Sequence, residues 1–173
     1  MKIVLFISVL FGSLMSLYAS DEERNLQAVF FSKSAKFIEW PQKNQEKFVI
    51  TIIDDNPFEN ILEELYEDKQ INSKHVEIRY AKKIEELSGS DIVYITVKNP
   101  DFMQEIIAYA QANSILSISP QRGFAQRGGI IQLGFVARRA HLIINHEASL
   151  ASGIKISSSL LAIAAQVIQK DKK

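Results

Sequence analysis

Phe48-Val49-Ile50-Thr51-Ile52-Ile53, followed at once by Asp54-Asp55-Asn56-Pro57-Phe58-Glu59, is the stretch on which the fold turns. The first six residues form an unbroken, β-branched apolar run. Such a run suits a strand buried on both faces, as in a parallel sheet. The next six read as a helix start: Asn56 at the N-cap, Pro57 at the first helical position, and Glu59 at capping-box spacing. A helix from Pro57 to Glu67 is expected. Strand followed by helix then recurs downstream. His75–Tyr80 reads as a short strand and Lys83–Leu87 as one or two helical turns. Asp91–Thr96 reads as a buried strand, Pro100–Ala112 as a helix and Ser114–Ile118 as a further strand. This alternation is the signature of an α/β fold.

Working outward, Glu22–Trp40 carries apolar residues at helical spacing, and Pro41 stops it by pushing Trp40 out of the α region. After the parallel part the pattern changes. Gly123-Phe124-Ala125-Gln126-Arg127-Gly128-Gly129 reads as a loop. Ile130–Val136 and His141–Asn145 lie too close together for a parallel crossover, so they are expected to form an antiparallel hairpin. Arg138 and Arg139 fall near its tip. Lys155–Gln169 reads as a closing amphipathic helix with Ile156, Leu160, Ile163, Ala164 and Val167 on one face. The expected fold class is α/β. It is a single-domain sandwich with a largely parallel central sheet, helices on both faces, and a C-terminal antiparallel hairpin plus helix.

At the N-terminus, Lys2 precedes the uncharged run Ile3–Leu17, then small residues at Ala19 and Ser20, then Asp21-Glu22-Glu23. This is the three-part form of a secretory signal peptide, and the apolar run is shorter than a spanning helix requires. Cleavage is expected near Ala19/Ser20. Residues 1–19 are then the signal peptide and 20–173 one domain exported to the periplasm. The chain has 173 residues, 47% hydrophobic and 23% charged, which suits one globular domain and excludes a disordered or coiled-coil chain. Twenty basic residues balance twenty acidic ones, so no broad nucleic-acid footprint is expected. Cysteine is absent, which removes disulfides, thiolate metal sites and cysteine nucleophiles.

Catalytic patterns fail on inspection. Gly123 and Gly128 have phosphate-loop spacing, but Gly129 and Ile130 replace the lysine and the hydroxyl residue, and a strand follows instead of a helix. Ser152-Gly153-Ile154-Lys155 matches Ser-x-x-Lys without its partner motifs. His75, His141 and His146 lack a second histidine at zinc-ligand spacing. No catalytic residue, metal site or cofactor is assigned. Asp54 and Asp55 follow one buried strand and Thr96 ends another, where open α/β sheets form ligand crevices. They are the candidate small-ligand site, with helix capping by Asp55 or Asn56 as the alternative reading.

Several stretches, in order, resemble the YfiR family of bacterial periplasmic proteins. They are Ala35-Lys36-Phe37-Ile38-Glu39-Trp40-Pro41, Asp54-Asp55-Asn56-Pro57-Phe58, Gly123-Phe124-Ala125-Gln126-Arg127-Gly128-Gly129-Ile130-Ile131, and Ile144-Asn145 with Gly153-Ile154-Lys155-Ile156-Ser157-Ser158-Ser159-Leu160-Leu161. The resemblance covers about residues 25 to 168. It departs in cysteine, since several family members carry cysteine pairs and disulfide-based control cannot operate here. The resemblance implies a compact α/β sandwich, often a homodimer, and a non-enzymatic role. Such a protein binds the periplasmic domain of an inner-membrane diguanylate cyclase, or another sensor such as a histidine kinase, and holds it inactive. Release by an outer-membrane lipoprotein or by envelope stress then raises cyclic-di-GMP and promotes biofilm formation. For the partner surface we single out Phe124 as an apolar anchor with Arg127, Arg138 and Arg139, because arginine is enriched at binding hot spots. Inward packing of Phe124 is the alternative.

Overall fold

The computed structural model describes residues 22–136 and 139–169. The expected signal peptide and Arg138 lie outside the described residues. Among the described residues no helix is long and apolar enough to cross a membrane.

An eight-stranded sheet organises the domain. In chain order the elements are helix α1 over residues 22–35, β1 (Ile38–Glu39), β2 (Lys47–Ile53), α2 (Ile61–Tyr66), β3 (Gln70–Ile71) and β4 (Lys74–Ala81). A 3-10 turn (Ile84–Leu87) leads to β5 (Ile92–Ile95), α3 (Pro100–Ala112) and β6 (Leu116–Ser119). A second 3-10 turn (Ala125–Arg127) leads to β7 (Ile131–Val136), β8 (Arg139–Asn145), α4 (His146–Ala151), β9 (Lys155–Ile156), α5 (Ser158–Ala162) and β10 (Gln166–Ile168). The strand order is β10-β8-β7-β6-β5-β2-β4-β3. β4, β2, β5, β6 and β7 run parallel, and β7–β8 is the expected antiparallel hairpin, in register from Ile131↔Ile144 to Val136↔Arg139.

The alternating side chains of the buried strands feed two cores. On one face Ile50, Ile52, Ile92, Tyr94, Leu116 and Ile118 pack against α1, α2 and the C-terminal segment. Phe31, Phe58 and Tyr94 meet edge to face there, with ring centroids 5.1–5.8 Å apart. Tyr66 fastens α2 to α1 by donating to Ala28 O at 2.7 Å and accepting from Ser32 N at 3.0 Å. On the other face Ile53, Val93, Ile95 and Ile115 pack against α3 through Met103, Ile106, Ile107 and Ala110. α3 begins where expected, with Pro100 in its first turn and Asn99 accepting from the Asp101 and Phe102 N–H groups.

Three local readings are corrected. The first helix ends at residue 35, and Ile38–Glu39 turns extended to pair with Lys155–Ile156 of β9. The Pro57–Glu67 helix spans only Ile61–Tyr66. Asn56 serves the turn before it, accepting from Phe58 N and donating to Glu59 O. The closing helix is not one helix: Lys155–Gln169 divides into β9, α5 and β10. Its apolar residues serve different partners. Ile156 pairs with Ile38 of β1, Leu160 is buried, and Val167 lies beside Ile144 in the sheet. Ile163, which a helical stripe would bury, is 69% exposed.

Candidate functional site

The Gly123–Gly129 loop is built around a buried ring. Phe124 is 0% exposed and belongs to the α3-side core, so its side chain faces away from solvent. Gly128 adopts φ +100°, a left-handed conformation that favours glycine, and ends the 3-10 turn. A Cβ on Gly129 would lie 2.1 Å from Phe124 Cε1, so the backbone must pass over the ring without a side chain. Phe124 N donates to Gln132 Oε1, Ile130 N to Ser117 Oγ, and Gln111 Nε2 to Gly128 O, all at 2.9–3.1 Å. Asn145 holds this loop against α4. Its amide donates to Ala125 O at 2.8 Å and its carbonyl accepts from Ala148 N at 2.8 Å. The Ile-Asn motif of the sequence is therefore a loop fastener and a helix cap in one residue, a double role that sequence spacing does not reveal.

The arginines singled out do not form one cluster. Arg127 is exposed at the base of β7, its guanidinium donating to Arg122 O at 3.2 Å and lying 3.6 Å from Met103 Sδ. Arg139 is exposed opposite Val136, at the far end of β7. β7 alone, from Ile131 to Val136 opposite Arg139, is five residue steps, roughly 17 Å of strand. Only Arg139 lies on the projecting part of the hairpin, and Arg127 sits in the 3-10 turn before β7. β6 pairs with β7 only at Ile131 and Gln132, and β10 pairs with β8 only from Ile143 to Asn145. From Leu133 to Leu142 the hairpin runs past the described body of the sheet. Leu133 and Leu142 remain buried, but Val136 is 63% exposed, and Arg139, Ala140 and His141 are exposed with it.

Asp54, Asp55 and Thr96 do come together. β2 and β5 are adjacent, and the chain crosses from β4 on one side of β2 to β5 on the other. That reversal of winding is where doubly wound folds open their crevice. The residues are occupied locally. Thr96 Oγ1 lies 2.8 Å from Ile53 O and 2.9 Å from Asp55 O, and Lys82 Nζ donates to Asp54 O at 2.7 Å. Among the described residues, surface concavities lie elsewhere, three of them notable. One borders Val29, Lys33, Lys36 and Lys69, one Trp40, Lys43, Lys74 and Asp91, and one Glu63, Glu64, Glu67, Val76 and Ile78.

The second concavity contains a polar cluster that sequence patterns did not reveal. Asp91 accepts from Val49 N at 2.8 Å and from Gln45 Nε2 at 2.6 Å, and its other oxygen lies 3.6 Å from Lys43 Nζ. Lys43 in turn donates to Ser90 O at 2.6 Å. Burial pushes the Asp91 carboxyl above its usual value, against the Val49 N–H and Lys43. Burial likewise lowers the Lys43 ammonium, against the pull of Asp91. The cluster pins the segment between Trp40 and β2 to the start of β5. Beside it, Trp40 meets Phe48 edge to face at 5.1 Å and donates to Ala35 O at 3.2 Å, so the Trp-Pro corner serves packing.

Solved structures share this architecture. An ABC domain in complex with L-Trp from Streptococcus pneumoniae superposes with TM-score 0.55 at 13% identity, covering 84% of this chain and 60% of that one. A conserved domain protein from Vibrio cholerae gives TM-score 0.53 at 14% identity, covering 83% and 60%. The chain thus spans about 60% of the length of these structures, and at such identities the likeness is one of fold. No curated protein matches the chain. The model of the YfiR/HmsC-like family matches residues 24–165, from the first described helix to the approach to the last strand. That span takes in the Trp-Pro corner, the Asn-Pro-Phe turn, the loop folded over Phe124 and the Asn145 fastener, and the chain is a member of the YfiR/HmsC-like family.

Proposed function

We propose that this protein is a periplasmic, non-enzymatic regulator that binds the periplasmic domain of an inner-membrane diguanylate cyclase, or another membrane sensor, and represses it. Repression lowers cyclic-di-GMP and biofilm formation. An outer-membrane lipoprotein relieves the repression, and the working unit is a homodimer. The observation that carries this reading is the family match over residues 24–165, which supports a regulator of diguanylate cyclases in general. The contact surface we assign to it is the β7–β8 arm with Arg139, together with Arg127 in the turn that precedes β7. Phe124, buried in the α3-side core, holds the shape of the loop that carries Arg127. Crosslinking in cells with tagged protein is expected to capture a membrane protein bearing a cytoplasmic cyclase or kinase domain. Against the purified periplasmic domain of that protein, Arg127→Glu and Arg139→Glu are each expected to weaken binding by about tenfold or more, as loss of a hot-spot arginine does. Unchanged affinity in both variants would remove the arm from the interface.

A second reading is favoured by one observation, the reversal of winding between β2 and β5. On this reading the crevice at Asp54, Asp55 and Thr96 takes a small polar ligand that tunes partner affinity. At a free concentration one hundred times Kd, a true ligand adds about 2.7 kcal/mol of stability. For a domain of this size that is roughly 5–10 °C in Tm. A metabolite screen by thermal melting with no saturable rise would discard the crevice.

A further inference from the structure

The sheet has a free edge with a groove beside it. β3 pairs with β4 only at Lys74 and His75, and Val76 N reaches back to Lys69 O at 3.4 Å. Since Val76 N points outward, the two-residue period of a strand turns the backbone groups of Ile78 and Tyr80 outward as well. No described strand lies beyond them. Open edges are templates for further pairing, and proteins normally guard them with proline, bulges or charges turned toward the edge. β4 has no proline; Lys74 donates to Lys43 O at 3.3 Å, and Glu77 and Arg79 are ion-paired. Glu77 pairs with Arg79 at 2.5 Å and with Lys47 at 3.0 Å. The neutral side chains Val76 and Ile78 alternate with that pair and form the floor of a concavity of about 400 Å³ beside α2. Its wall is Glu63, Glu64 and Glu67. Tyr80, 46% exposed, continues the floor and donates to Glu63 Oε1 at 2.6 Å.

We propose that this edge is a docking strand for an extended segment of a partner protein that alternates basic and apolar residues. The segment adds to β4 in line with β3. Its backbone completes the hydrogen bonds of Ile78 and Tyr80. Every second side chain turns to the α2 side, where lysine or arginine stems lie along Val76, Ile78 and the Tyr80 ring and the charged heads reach the three glutamates. Strand addition of this kind takes affinity from main-chain bonds and specificity from the side-chain groove. The occupant is basic because the charged groups that line the groove are all carboxylates, and an acidic segment would meet like charge. This surface lies at the opposite edge of the sheet from the β7–β8 arm, so the inference stands apart from the function proposed above.

The test uses the isotopically labelled protein and a capped peptide, Lys-Val-Lys-Ile-Lys-Val. Titration is expected to give saturable shifts of the backbone amides from Val76 to Tyr80. Glu64→Lys with Glu67→Lys is expected to weaken binding by about tenfold or more. Both positions are exposed, and Glu67 stands at the C-cap of α2, where lysine suits the helix end better than glutamate does. The same peptide N-methylated at every residue keeps its charges but loses its backbone donors, and is expected not to bind. Three results would each overturn the proposal. They are no shift in this segment, equal binding by the charge-reversed protein, and equal binding by the methylated peptide, which would reduce the contact to charge attraction.

Discussion

Gly129→Ala is expected to destabilise the fold by about 3 kcal/mol or more, the upper part of the range for overpacking a dense core. The added methyl would stand 2.1 Å from Phe124 Cε1 and 2.3 Å from Cζ. The ring has no free space to retreat into, being fully buried among the residues of the α3-side core. The backbone cannot rise either. Gly129 N donates to Phe124 O at 3.1 Å, and the neighbouring Gly128 carbonyl is held by Gln111. Against a typical stability of about 5–15 kcal/mol this is a large share. A second variant makes the cause visible. Phe124→Ala alone is expected to cost about 3–5 kcal/mol through lost burial and a cavity. The double variant Phe124→Ala/Gly129→Ala is expected to cost clearly less than the sum, because the cavity receives the methyl. Urea unfolding of the four proteins measures the coupling. Additive costs would mean that the two residues do not meet.

Asp91→Ala is expected to cost about 3 kcal/mol, for a different reason. The substitution leaves the buried Val49 N–H without its acceptor and the half-buried Lys43 ammonium without its counter-ion. Asp91→Asn keeps an acceptor for Val49 and is expected to cost about half as much. The double change Lys43→Met/Asp91→Asn removes both charges and is expected to recover most of the loss, since a buried pair is expensive to break but not to replace. The pH dependence has a definite sign. The folded-state carboxyl titrates above the unfolded one, so across that window the folded state binds more protons. The contribution of this group to stability falls as pH rises from the usual carboxylate range through the raised value, and is flat above it. Denaturation midpoints of the wild type and Asp91→Asn across acid pH give the comparison. Identical pH profiles would show that Asp91 does not titrate differently in the folded state.

These residues mark what was legible in the sequence. Gly128-Gly129 and Phe124 stood out as a motif, and the motif proved to be packing. Arg127 and Arg139 were legible as exposed cations near a hairpin. That only Arg139 lies on a projecting arm follows from the Ile118↔Ile131 register, which no local pattern contains. Asp91 read as the first residue of a strand. Its role depends on Val49 and Lys43, more than forty positions away in the chain. The free edge of β4 was not legible for the same reason. A strand is an edge only by where its neighbours go.

The parallel core and the hairpin follow from local residue patterns alone. β-branched runs such as Phe48–Ile53 and Asp91–Thr96 have few ways to hide both faces, and four residues between two strands permit only an antiparallel return. The sequence also supplied α3, where Asn99 and Pro100 write the helix start in local chemistry. The tertiary structure decided the fate of Lys155–Gln169. Its apolar residues satisfied helical spacing, but Ile38 offered Ile156 a strand partner and Ile144 offered Val167 another. Pairing with an existing sheet completed backbone bonds and buried side chains together. The helical stripe promised burial alone, and long-range pairing won over local periodicity.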